Sequence, residues 1–412
     1  MKGKGKDIES PWEAPDSAGI VETKYCTFCR PPGLMQLESG QELGPLTIAY
    51  ETYGELSGSR DNAVLICHAL SGDAHAAGYN STSDAKPGWW DFMIGPGKPF
   101  DTDKYFVISS NILGGCRGST GPSSINPSTG RPYGQDFPVV TVKDMVRAQR
   151  ELLLHLGVKK LLNVAGGSMG GMQALQWAVD FPEMVSSATL IATCARLSAQ
   201  GIAFNAVGRR AIMSDPYWQE GRYYDEAGPD NGLALARMVA HITYLSEEAL
   251  HSKFGRRLQE NDRFGYSFST EFQVESYLDH QGLSFTKRFD ANSYLFITKA
   301  MDYFDLTEGG SKSLAEALSN VSSRFMVISF SSDWLYPTDS SQEIVRALKA
   351  NSAEVSSCEI ETRHGHDAFL LPGSQQEEMV ANFLNSNLKD RRKQEGSDGC
   401  KDRGQCRGPI TR

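Results

Sequence analysis

Four short runs decide what this chain can fold into. VLIC (64–67), YFVIS (105–109), LLNVA (161–165) and FMVISF (325–330) are almost continuously apolar. A strand with one wet face alternates apolar and polar residues. A continuous run needs apolar surroundings on both faces, as in a parallel sheet covered by helices. With weaker strand signals the candidate strands are 46–53, 63–68, 105–109, 161–165, 188–192, 324–330 and 354–359. Helical periodicity follows at 142–156, 169–181, 338–350 and 376–387. Strand–helix alternation predicts an α/β fold with a mostly parallel sheet flanked by helices.

The alternation breaks once. From 196 to 320 the pattern is helical or irregular, for example at 232–245 and 292–304. Alternation returns after 320, so this stretch reads as a helical cap inserted into a core made of 23–195 and 321–388. The alternative is a second domain beside the core. Residues 1–22 are polar and read as a loose arm. Residues 389–412 carry eight basic and four acidic side chains with almost nothing to bury, and read as a disordered tail.

Composition excludes several classes. The balance of 41 basic and 50 acidic residues gives a net charge of −9, which argues against nucleic-acid binding through bulk charge. A local basic pocket for a phosphate-bearing small molecule remains compatible with it. No run approaches the ~18 apolar residues of a membrane span. The opening MKGKGKDIESPWEAP has lysines but no apolar core after them, so no secretory signal is expected and a cytoplasmic location is. Eight cysteines are too sparse for a disulfide scaffold. The Cys26-x-x-Cys29 pair and the tail pair Cys400 and Cys406 are a weak zinc pattern, and no metal is expected.

The strongest chemical signal is Gly166-Gly167-Ser168-Met169-Gly170, with an apolar strand before it and an amphipathic helix after. That is the setting of a nucleophile elbow, where a sharp strand-to-helix turn holds a serine exposed at the sheet's edge. Small neighbours are needed because the backbones approach closely. The helix amino terminus then faces any developing oxyanion. The alternative is a glycine-rich turn with an incidental serine. A phosphate loop fits poorly, since neither Gly-x-Gly-x-x-Gly nor a terminal Gly-Lys-[Ser/Thr] is present here.

A serine alcohol needs a base, and the base an orienting acid; in this context the chain order is Ser, Asp or Glu, His. Asp333 stands just past a strand, in FMVISFSSDWLYP. His364 and His366 both stand past the last strand, and the residues alone do not choose between them. A plain turn aspartate is the alternative for Asp333.

These motifs resemble the homoserine O-acetyltransferases, acyltransferases of the α/β-hydrolase fold. The resemblance covers about 25–388. It rests on IAYETYGEL, CHALSGDAH, GWWDFMIGPGKPFDTDKYFVISSNILGGCRGSTGPSSINP, GGSMGGMQALQWA, LARMVAHITYLS, SDWLYP and GHDAFL in that order. It implies a triad of Ser168, Asp333 and His366, and an oxyanion hole from the backbone N–H groups of Leu70 and Met169. It implies homoserine binding by Arg237, Tyr244 and Asp367. His68 is assigned no chemistry. Succinyl-using relatives carry arginine where this chain has Leu335, so Leu335 implies acetyl specificity. The implied reaction is ping-pong transfer from acetyl-CoA, a co-substrate, to L-homoserine in methionine biosynthesis. No bound cofactor is implied, and a homodimer is. The rivals are serine O-acylation, succinyl transfer, and ester or thioester hydrolysis on the same fold. A non-catalytic binding module is a further rival, disfavoured because Ser, Asp and His are all present.

Overall fold

The computed structural model describes residues 10–259 and 262–401, with side chains through 391. Eight strands form one sheet: β1 (Lys24–Phe28), β2 (Leu46–Tyr53), β3 (Ala63–Cys67), β4 (Phe106–Ser110), β5 (Asn163–Gly167), β6 (Ser187–Ile191), β7 (Arg324–Phe330) and β8 (Val355–Ile360). Their spatial order is β1-β2-β4-β3-β5-β6-β7-β8. Strand β2 pairs antiparallel with β1 and β4, and the rest of the sheet is parallel. Strands β3, β5 and β6 are buried at every position, as continuous apolar runs require when both faces are covered.

Ten helices accompany the sheet among the described residues. Helix α1 (Val142–His155) starts in a capping box of Thr141 and Asp144 and buries Val142, Met145, Val146, Gln149, Leu152 and Leu153, one stripe at helical spacing. Helix α2 (Met169–Asp180) is buried from Met169 through Ala178 and forms the central packing element. Between β6 and β7 come α3 (Ala199–Met213), α4 (Asp230–Tyr244), α5 (Glu247–Lys253), α6 (Gln273–Thr286), α7 (Ala291–Asp302) and the single turn α8 (Leu314–Ala317). Then follow α9 (Thr338–Ala350) and α10 (Ser374–Lys401). No helix among the described residues is long and apolar enough to cross a membrane.

One strand was absent from the sequence reading, and two expectations need correction. Strand β1 carries no apolar run; only Cys26 of its five residues is buried, because it lies at the sheet's edge. The arm is not loose from residue 10 onward. Val21 donates its N–H to the Tyr79 carbonyl at 2.8 Å, Tyr79 returns one to Gly19 at 2.9 Å, and the Trp12 ring meets Tyr79 edge-on. The stretch after 388 continues α10 through Lys401, since its Lys, Arg, Gln and Glu residues favour helix even without a face to bury. Residues 1–9 and 402–412, with Cys406, lie outside the described residues.

Candidate active site

Ser168 sits between β5 and α2 with φ 58° and ψ −125°, a conformation that costs a non-glycine residue energy and is held by its surroundings. The turn has no room for side chains on its flanks. A Cβ on Gly170 would lie 2.0 Å from the Cys67 carbonyl oxygen, and one on Gly166 would lie 2.4 Å from the Gly170 backbone. The Ser168 N–H donates to Ile191 O of β6 at 2.9 Å, which ties the elbow to the next strand.

The loop after β3 is held against α2 by a buried chain of side chains. Trp177 Nε1 donates to Gln149 Oε1 (2.8 Å), Gln149 Nε2 to Gln173 Oε1 (2.8 Å), and Gln173 Nε2 to the His68 carbonyl (3.1 Å). His68 fixes the other side. Ile112 N–H donates to its Nε2 at 3.2 Å, so the proton is on Nδ1, which faces the Ala69 carbonyl at 2.7 Å. Burial pushes the His68 pKa down and keeps the ring neutral. This scaffold presents Leu70 at the wall of the cavity that Ser168 also lines. Neither the Leu70 N–H nor the Met169 N–H is taken by a protein acceptor among the described residues.

Asp333 lies just past β7. Its Oδ1 accepts the N–H groups of Leu335 (3.0 Å) and Tyr336 (2.8 Å), and its Oδ2 meets His366 Nδ1 at 2.7 Å. Both partners are buried, Asp333 at 4% and His366 at 2% exposure, whereas His364 is exposed. Geometry thus brings Asp333 together with His366 and leaves His364 outside. Burial alone would depress the His366 pKa, but the charge and hydrogen bond of Asp333, with the charge of Asp367, hold it above the ordinary value.

Tyr336 is the residue that sequence reasoning missed. Its ring lies 4.9 Å from that of His366, and it lines the same cavity as Ser168. Burial holds the phenol protonated. The only signal for it was its place three residues after Asp333, where a tight turn returns the chain to the acid. Tyr244 and Tyr336 both pack on the His366 ring and both line the Ser168 cavity, so His366 stands behind the tyrosine wall of that cavity.

The expected acceptor residues lie beside it. Arg237 of α4 is 9% exposed, donates to Ser71 Oγ at 3.3 Å, and stands over the rings of Tyr244 (5.4 Å) and Phe285 (4.7 Å). Desolvation lifts the Asp367 carboxyl above its ordinary range, against the pull of His366 and Arg237. Leu335 lines the cavity with Leu70, Leu197, Phe204, Val239 and Met301. No acidic or basic side chain is among the lining residues. Arg209, the cation best placed on α3 to reach in, is committed to Asp302 at 2.5 Å, and Arg210 is exposed. No cluster of three or more metal-ligating side chains occurs among the described residues.

The family described as alpha/beta hydrolase fold matches residues 62–371. The chain is 60% identical over 368 residues to a homoserine O-acetyltransferase of Methanohalobium evestigatum, covering 89% of this chain and 74% of that one. The crystal structure of homoserine O-acetyltransferase from Bacillus anthracis superposes with a TM-score of 0.83 at 34% identity, covering 89% of this chain and 98% of that one. Esterase E22 superposes at 0.81 with 30% identity, covering 89% and 100%. The chain belongs to the homoserine O-acetyltransferase family, built on the α/β hydrolase fold.

Proposed function

We propose that the protein transfers the acetyl group of acetyl-CoA to the hydroxyl of L-homoserine through an acetyl-Ser168 intermediate, giving O-acetyl-L-homoserine for methionine biosynthesis. His366 takes the Ser168 proton as the oxygen attacks the thioester carbonyl. The oxyanion is received by the Leu70 and Met169 N–H groups, and CoA leaves as the thiol with the proton from His366. Homoserine then gives its hydroxyl proton to His366 while its oxygen attacks the acetyl-serine, and collapse returns the proton to Ser168. Asp333 orients the imidazole and stabilises its charged form. On this reading the enzyme works in the cytoplasm as a homodimer, with no metal or bound cofactor.

The observation that carries the reading is Arg237: a nearly buried guanidinium beside the oxyanion loop with no carboxylate in contact among the described residues. A desolvated cation without an anion is costly, and an amino-acid carboxylate supplies the missing partner with two parallel hydrogen bonds. Tyr244 packs on the same guanidinium, and the Asp367 carboxyl, which the Arg237 charge pulls down against desolvation, is the group to take the substrate ammonium. A pure hydrolase has no use for this pair. Arg237→Ala is therefore expected to lower kcat/KM for homoserine by ~2–5 kcal/mol. It should slow acetyl loading from acetyl-CoA far less. Equal losses in both half-reactions, measured by stopped-flow thiol release with and without acceptor, would assign Arg237 to the fold or to the donor.

Hydrolysis is the second reading, favoured by the likeness to esterase E22. Mixing the protein with acetyl-CoA and homoserine, serine or no acceptor, and following free thiol, separates them. Homoserine should accelerate thiol release; a rate independent of acceptor identifies a thioesterase.

The acyl end of the pocket bears on donor choice. A succinyl carboxylate beside Leu335 would be buried without a cation, at a cost of ~2 kcal/mol or more, about 30-fold in rate. Acetyl-CoA should exceed succinyl-CoA in kcat/KM by at least that factor, and Leu335→Arg should narrow the gap. Equal use of both thioesters by the unmodified protein would refute the acetyl assignment.

A further inference from the structure

Arg237 is not the only guanidinium on the oxyanion loop. Arg288, in the connection from α6 to α7, donates from Nη1 to the Ser71 carbonyl at 2.9 Å, while Arg237 holds the hydroxyl of the same serine. Both guanidinium groups stand over one ring, Phe285, at 5.1 Å for Arg288 and 4.7 Å for Arg237. A third, Arg117, reaches Asp73 two residues along the loop at 3.4 Å.

The carboxylates nearby do not balance this charge. Asp73 is engaged by Arg117. The Asp290 carboxylate, two residues from Arg288, accepts from the Tyr223 hydroxyl (2.6 Å), the Tyr224 hydroxyl (3.2 Å) and the Ser293 N–H (2.7 Å). Asp367 lies on the Arg237 side. Among the described residues Arg288 makes no ion pair. Its neighbours register the surplus: His241 is pushed down to about 3 by burial and then by Arg237, Lys253 and Arg288. Partial desolvation and the Arg237 charge likewise press Arg288 below the usual arginine range. In a chain of net charge −9 this local excess of cations is not a bulk effect. It is the electrostatic signature of a site that an anion completes.

The two arginines differ in depth. Arg237 is nearly buried beside Tyr244, whereas Arg288 is exposed at the rim. Acetyl-CoA has its reacting carbon at one end of a flexible arm and its phosphates at the other. With the thioester at Ser168 and Leu70, an arm that leaves on the exposed side of this loop passes Arg288 at Ser71. We propose that Arg288 anchors the phosphate groups of the acyl-CoA donor at the mouth of the site, leaving Arg237 for the acceptor carboxylate. The assignment rests on the acetyl-CoA reading above. A guanidinium suits the task because it binds phosphate oxygens in a two-pronged geometry and stays charged at the rim.

The test compares acetyl-CoA with S-acetylpantetheine, which has the same thioester arm and no phosphates. Arg288→Met keeps the stem beside Phe285 and removes the charge. It should raise KM for acetyl-CoA about tenfold, the loss of one charge-assisted contact, and KM for S-acetylpantetheine by less than about twofold. Arg288→Lys should recover most of the acetyl-CoA loss. An unchanged KM for acetyl-CoA, or equal losses with both donors, overturns the assignment. So does a rise confined to the KM for homoserine, which would place Arg288 on the acceptor. Turnover of the unmodified enzyme with both donors reports the acyl-transfer reading separately.

Discussion

Replacing Ser168 by alanine is expected to abolish acetyl-enzyme formation and lower turnover by ~10⁴-fold or more, the usual scale for losing a triad member. The fold should survive. Ser168 is the one non-glycine residue among Gly166, Gly167, Ser168, Gly170 and Gly171, and alanine is smaller than serine, so none of the close contacts that exclude a Cβ at Gly166 and Gly170 is affected. Its backbone is tied to Ile191 O independently of the side chain. Intact mass after incubation with acetyl-CoA, alongside a thermal melt, checks both halves. An acetyl group retained on the alanine variant would place the nucleophile elsewhere.

Asp333→Asn is expected to cost a comparable ~10⁴-fold and, in addition, to move the pH profile. An asparagine amide can still accept the Leu335 and Tyr336 N–H groups through its oxygen, but its NH₂ then faces His366 Nδ1. That favours the tautomer with the proton on Nε2, and a base so protonated cannot take the Ser168 proton. The sign of the pH effect follows from the same contact. The base must be neutral, so loading rises with pH through the His366 pKa. In the unmodified enzyme that pKa is held up by Asp333 against burial, which places the acid limb above the ordinary histidine value of about 6.5. Without the aspartate charge, burial prevails, the pKa drops, and the acid limb of the residual activity should shift to lower pH. The measurement is the pH dependence of thiol release in the first turnover. An acid limb that stays in place would show that another group sets the charge of the imidazole.

Several features of this site are local and therefore legible in the chain. The elbow is one: a strand, a serine among glycines and a helix are contiguous in sequence, and the steric demand that selects glycine acts between neighbours and on one adjacent strand. The two-sided burial of β3 and β5 is another, because a residue run records the polarity of its surroundings directly. Helix α9 was legible to the residue, Thr338–Ala350, since its apolar face repeats at helical spacing. Strand β1 was not, since an edge strand buries one side chain in five and leaves no periodic trace.

What the sequence by itself determined about this protein is the set of elements and the positions of chemistry-bearing residues at their ends: periodicity, turn sterics and composition are short-range properties. What only the tertiary structure decided is which of those residues meet. His364 and His366 are equivalent in sequence context, yet the turn at Gly365, with φ 74°, puts one in solvent and the other 2.7 Å from a carboxylate 33 residues earlier. Tyr336 becomes part of the site because the Asp333 turn folds it back onto the cavity lined by Ser168, 168 residues away in the chain. Arg209, Arg237 and Arg288 are alike as letters. Asp302 neutralises the first, while among the described residues the other two have no ion pair around Ser71, which leaves their charge for an anion. Ion pairing depends on distances between residues far apart in the chain, and those distances are set by how the helices between β6 and β7 pack over the sheet edge, which no local pattern encodes.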